Sequence, residues 1–197
     1  MSSMADIAVL LGDDRIGRQA AVRLAARHPQ MPMAFNRSAE PRRIVRLLRK
    51  RRIAFSDLVV MALAEWRRPS IPRPLLPGIN DNETLLAWLA STRPRAVVCF
   101  RAGLLISPAA LAAGVPFYNV HAADLPEFGG LGAIARSLRA GRREGWACLH
   151  QMVARIDAGD VLEREGYKLD VADGYAANEE RAYAAAECLL WRALERL

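Results

Sequence analysis

Three short apolar runs, Ile7 to Leu11, Ala96 to Phe100 and Phe117 to Val120, alternate with helix signals, and this alternation constrains the fold more than anything else in the chain. Strand, helix and strand in succession imply an α/β fold, with a mostly parallel sheet flanked by helices and joined by right-handed crossovers. Ile7 to Leu11 runs into Gly12-Asp13-Asp14-Arg15-Ile16-Gly17 and then a helix over Gln19 to Ala26. Met31 to Phe35 reads as a second strand, and Ser38 with Pro41 as the cap and first turn of a helix. Ile53 to Trp66 reads as helical, Pro69 to Pro77 as a loop punctuated by prolines, and Asn80-Asp81-Asn82 as the cap of a helix over Glu83 to Leu89.

Ser107-Pro108 caps a short helix that ends at Gly114. Beyond Phe117 to Val120 come a helix over Ala133 to Ala140 closed by Gly141, strands over Ala147 to Val153 and Val161 to Leu169, and a long alanine-rich helix over Asn178 to Leu197. At 197 residues and 52% apolar, the chain can bury one substantial core, so a single domain over 1–197 is expected. Ile7 to Leu11 has no basic stretch before it and is too short to span a bilayer, so a cytoplasmic protein with no membrane partner is expected. Cys99, Cys148 and Cys188 are scattered and lack a CxxC, which argues against disulfides and a zinc site and reads as buried or inert thiols; no metal is expected.

The net charge is +7, and every basic residue except Lys50 and Lys168 is arginine. Arg42, Arg43, Arg46, Arg49, Lys50, Arg51 and Arg52 interleave with Ile44, Val45, Leu47 and Leu48 as the outer face of an amphipathic helix. Such a face is ordinarily a solvated one. No aromatic side chains interleave with it as a stacking platform for single strands would require, so nucleic acid is not the expected partner. An exposed apolar face on Ile53 to Ala64 would suggest a homodimer.

The chemistry concentrates around Asn119 and His121. Period two puts both on one face of the strand with Val120 on the other, and Pro126, Gly129 and Gly130 then force a loop. In open α/β sheets ligands bind outside the carboxyl ends of strands. Arg155-Ile156-Asp157-Ala158-Gly159-Asp160 follows in a later connection. His121 alone would pass for a structural residue, and Asp157 with Gly159 for an ordinary turn; it is their conjunction with Asn119 that points to catalysis. His150 faces no partner motif and His28 reads as a surface residue.

Asn119-x-His121, Leu125-Pro126, Gly130 and Asp157-Ala158-Gly159 resemble the folate-dependent formyltransferases, which include glycinamide ribonucleotide, methionyl-tRNA and sugar N-formyltransferases. The likeness is best over Pro94 to Leu169 and weaker over Asn80 to Leu89. It implies a Rossmann-like formyltransferase fold, N10-formyltetrahydrofolate as co-substrate and a small-molecule amine as acceptor, such as the amine of a nucleotide-linked sugar. By the same resemblance Asn119, His121 and Asp157 are catalytic. Ala102, Gly103, Leu104, Leu105, Ile106, Ile156 and Asp160 would hold the folate, and Leu125, Pro126 and Phe128 would line the formyl path. Asn119 and a protonated His121 would hold the developing oxyanion, with Asp157 favouring the imidazolium and holding a water that relays the amine proton.

Gly12 to Gly17 is not a GxGxxG phosphate loop. It reads as an ordinary βα turn or as a substrate loop using Arg15, and Asp13 and Asp14 would oppose a phosphate there. Family members often carry Pro-Ser after the histidine and a basic residue near the later glycine, where this chain has Ala122-Ala123-Asp124 and Glu127. A formyltetrahydrofolate hydrolase and a binding module that no longer turns over are the alternatives. The hydrolases' additional regulatory domain and the methionyl-tRNA enzymes' carboxy-terminal domain are not expected in a chain of this length.

Overall fold

The computed structural model describes residues 6–37, 41–51 and 53–197. Six strands form one sheet in the order β2-β1-β3-β4-β5-β6. They are β1 (Ile7–Gly12), β2 (Met33–Asn36), β3 (Ala96–Phe100), β4 (Phe117–His121), β5 (Glu144–Gln151) and β6 (Val161–Lys168). The first four run parallel, and β5 and β6 are antiparallel to their neighbours. β1 and β3 are buried along their whole length, as strands covered on both faces must be. β6 alternates between half-buried and exposed residues, as an edge strand covered on one face does.

Helices α1 (Arg15–Arg27), α6 (Ala133–Arg139) and α7 (Gly174–Arg196) pack one face through Ala20, Leu24, Ile134, Leu189 and Leu190. On the other, α4 (Asn82–Thr92) and α5 (Pro108–Leu111) pack through Leu85, Trp88, Leu89 and Ala110. Two more helices, α2 (Pro41–Arg49) and α3 (Phe55–Arg67), lie between β2 and α4 in the chain.

The elements differ from the sequence expectation mainly at their ends. β2 begins at Met33 and not Met31, because Pro32 has no N–H to give and only its carbonyl joins β1, accepting from the amide of Val9. Asp81 caps α4 by accepting from Thr84 N at 2.8 Å, and the helix runs on past Leu89 to a left-handed Arg93. Ser107 caps α5 over Pro108, but the helix stops at Leu111, before Gly114. β5 starts three residues earlier than expected and ends at Gln151, and α7 starts at Gly174 after a short 3-10 turn. α1 also starts earlier, at Arg15, with Asp14 as its cap accepting from Gly17 N at 2.8 Å.

Ser38 and Arg52, and the side chains of Arg42 and Arg43, lie outside the described residues. Cys99 and Cys148 are buried, and burial pushes the Cys99 thiol up to about 12, whereas Cys188 is exposed. His28 is half-buried beside Trp191 and not on the open surface. No described helix is long and apolar enough to cross a membrane. Phe55, Val59, Leu63 and Trp66 leave an apolar stripe exposed along α3.

Candidate active site

A cavity of about 760 Å³ opens at the carboxyl ends of β1, β3 and β4, lined by Gly12, Arg101, Asn119 and His121 among others. This is where the topology of an open α/β sheet puts ligands, and the volume suits molecules of folate size. The period of β4 delivers Asn119 and His121 to it, as expected from the sequence. Asp157 arrives from the β5–β6 connection with a left-handed φ of 51°. Gly159 makes that connection possible: a Cβ there would sit 1.9 Å from the carbonyl oxygen of Gln151.

The three side chains converge with a fourth. Asp157 Oδ2 accepts from Gly130 N at 2.7 Å and lies 3.9 Å from His121 Nδ1, while Oδ1 lies 3.5 Å from His150 Nε2. His150 is the cross-strand partner of Asn119 in the β4–β5 register, so the two side chains share a face. His150 Nδ1–H donates to the Gln151 carbonyl, which leaves Nε2 to accept from Asn119 Nδ2 at 3.1 Å. One amide N–H of Asn119 is thereby committed and its orientation fixed. His150 is a member of this cluster, contrary to the sequence expectation. Its partner is set by strand register across 31 residues, and no local motif carries that.

His121 Nε2–H donates to the carbonyl of Phe128 at 2.9 Å, so in the neutral ring Nδ1 is the lone-pair nitrogen on the side of Asp157. Burial lowers the His121 pKa and outweighs the opposing pull of Asp157. The resting imidazole is therefore neutral, which corrects the expectation of an imidazolium favoured by Asp157. Burial also works against the Asp157 carboxylate, but the Gly130 N–H donated to Oδ2 favours its charged form, and the carboxyl stays below the usual carboxylate range. The site thus sets a neutral base beside a fixed negative charge.

Ala102, Gly103, Leu104, Leu105, Ile106 and Ile156 line the cavity, together with Met152 and Val153, and give it an apolar wall. Asp160 is exposed and lies outside the lining, its carbonyl accepting from the amide of Gln151. Leu125, Pro126 and Phe128 do not line it either. Leu125 and Phe128 are buried behind His121, and the loop acts through the Phe128 carbonyl. Arg15 is turned away from the cavity and ties α1 to the end of α3 through the carbonyls of Trp66 and Arg68. Glu127 is paired with Arg142 on the surface, so its charge does not face the cavity.

Sequence reasoning missed the far wall. Arg101, left-handed at φ 59°, reaches Asp14 at 2.5 Å and Glu179 at 3.4 Å and stacks 4.2 Å over the Tyr183 ring. Glu179 also accepts from Arg68 at 2.6 Å and Tyr175 at 3.0 Å. The position of Arg101, immediately after a parallel strand, was the available signal.

The profile of the Formyl transferase family matches residues 45–194. This chain belongs to the formyl transferase family. Over 78 residues it is 41% identical to the methionyl-tRNA formyltransferase of Xanthomonas campestris, a match covering 39% of this chain and 25% of that protein. The chain thus spans between a quarter and about a third of the length of the curated relatives it matches. Two solved structures share the formyl transferase fold. A Mycobacterium tuberculosis protein inferred to be a sugar N-formyltransferase superposes with a TM-score of 0.66 at 20% identity, covering 96% of this chain and 66% of that one. A formyltetrahydrofolate deformylase from Pseudomonas syringae gives 0.67 at 14% identity, covering 95% and 59%.

Proposed function

We propose that this chain transfers the formyl group of N10-formyltetrahydrofolate to a primary amine of a small molecule, with a nucleotide-linked amino sugar as one acceptor of that class. Convergence of Asn119, His121 and Asp157 on one cavity in a formyl transferase family member carries the proposal. The family draws its formyl group from that folate, and the apolar wall from Leu104 to Ile106 and Met152 to Ile156 suits a flat pteridine ring. We place the reaction, with its folate donor, in the cytoplasm.

The amine nitrogen attacks the formyl carbon, and the carbonyl electron pair moves to the formyl oxygen. The free N–H of Asn119 donates to that oxyanion, its other N–H being held by His150. Neutral His121 takes the amine proton at Nδ1, and the imidazolium so formed is stabilised by Asp157 at 3.9 Å. As the bond from N10 to the formyl carbon breaks, the proton passes to N10, giving the formamide and tetrahydrofolate.

Calorimetric titration with a stable 10-formyl folate analogue tests the donor half. Saturable binding is expected, with tetrahydrofolate released from the true donor only when an amine is present. Release without an amine would make the chain a hydrolase, and absence of binding would overturn the assignment.

A further inference from the structure

Three arginines meet on one carboxylate at the mouth of the cavity. Arg18 Nε lies 2.8 Å and Arg73 Nε 2.9 Å from Asp13, and Arg37 pairs with the same side chain. The Asp13 side chain is 1% exposed, whereas those of Arg18, Arg73 and Arg37 are 26%, 32% and 57% exposed. Each arginine gives Asp13 only its Nε. The terminal nitrogens of Arg18 and Arg37, both on the cavity lining, have no other acceptor among the described residues. Three positive charges against one negative leave an excess of two, presented as guanidinium forks whose spacing matches oxyanions.

The more familiar anion cradle of this topology is closed. The amide of Arg15 is taken by Glu65 and that of Gly17 by Asp14, so the first turn of α1 offers little to a phosphate. The apolar wall belongs to the other side of the sheet, where Leu104, Ile106 and Met152 pack with α4 and α5. Arg18 belongs to α1, on the opposite face, and Arg37 follows β2.

We propose that Arg18, Arg37 and Arg73 form an oxyanion subsite that receives a phosphoryl group of the amine acceptor. The proposal rests on the formyl-transfer reading for the chemistry at the other end of the cavity. β1 and β2 stand two and three strands from β4, so the phosphoryl group sits about 10–15 Å from the reacting amine. The acceptor is thus an amine carried at that reach from a phosphate or diphosphate. On this proposal Asp13, whose charge alone would oppose a phosphate, is the hub that gathers the arginines.

The test is titration of the full chain with pyrophosphate at low ionic strength, followed by calorimetry and phosphorus NMR, alone and with the 10-formyl folate analogue bound. Saturable pyrophosphate binding is expected, at least tenfold weaker in Arg37→Gln and in Arg18→Gln. Arg95→Gln, an equal loss of charge at the amino end of β3, should leave it unchanged. The folate analogue should bind all variants alike and together with pyrophosphate. If pyrophosphate displaces the analogue and Arg37→Gln weakens the analogue, the anion received is the folate's glutamate, and the acceptor assignment falls. Equal weakening by Arg95→Gln would mean an adventitious ion only. Pyrophosphate binding that survives a failure of folate binding would sustain the subsite and overturn formyl transfer alone.

Discussion

The protonation of His121 decides how the site works. A buried imidazole that gives Nε2–H to the Phe128 carbonyl is available as a base only while neutral, and burial keeps it neutral by lowering its pKa from 6.5. The rate kcat/KM should therefore rise with pH to a plateau, with its midpoint below about 6.5. A rate that falls as pH rises through that range would make His121 a charged donor instead. Asp157→Asn removes the charge that pulls the histidine's pKa upward, so the midpoint should move further down. Both Asp157→Asn and His121→Ala should fold normally and lose at least about a hundredfold in transfer, the usual size of such effects. Full activity in both would end the assignment. Asn119, His121 and Asp157 were legible because strand alternation and an Asp-x-Gly turn are local patterns. His150 and the three arginines on Asp13 were not, because strand pairing and the meeting of α1, β2 and a proline-rich loop bring them together.

At the scale of elements, the turn from β1 to α1 shows what the sequence could and could not convey. An apolar strand, two glycines and a helix signal spell a βα unit, but they do not separate a phosphate cradle from a tight packing joint. The structure has the joint: a Cβ on Gly17 would sit 1.9 Å from the carbonyl oxygen of Gly12. On an open helix Gly→Ala gains up to about 1 kcal/mol from propensity. Here the methyl would push α1 off β1 and disturb Ala20, Ala21 and Leu24 in the core, at about 2–3 kcal/mol for overpacking. Gly17→Ala should thus lower the urea midpoint with little change in slope; a higher midpoint would show that α1 does not approach so closely. The other helix boundaries slipped for similar reasons of detail. Asp57 reaches back to the amide of Ala54 at 3.1 Å and fixes the start of α3 at Phe55, two residues beyond the apolar pattern.

For the whole molecule, the balance of 28 basic against 21 acidic residues makes acid the condition that tests the fold. Near neutrality the arginine excess is held in place by carboxylates that reach across elements. Asp13 ties α1 to Arg37 after β2 and to Arg73 in the loop beyond α3, and Glu163 and Glu165 on β6 hold Arg192 on α7. Burial raises the Asp13 carboxyl, but its bonds to Arg37, Arg18 and Arg73 prevail and hold it at about 2 against the usual 3.8. A depressed folded value means that the stabilisation is present above the unfolded value and is lost as pH falls from about 4 through 2. The shift alone corresponds to about 2 kcal/mol, and solvent around the exposed arginines reduces this to about 1 kcal/mol. Asp157 loses its contribution in the same window. Over that interval the remaining carboxylates also neutralise, leaving the positive charges to repel one another. The urea midpoint should therefore fall steeply between pH 4 and 2, by about the share just given for Asp13 and by more for the field as a whole. Asp13→Asn, neutral at every pH, should be less stable at pH 7 and should approach the wild-type midpoint as pH drops to about 2. If the two proteins keep a constant difference across that range, the arginine hub does not depend on the Asp13 charge.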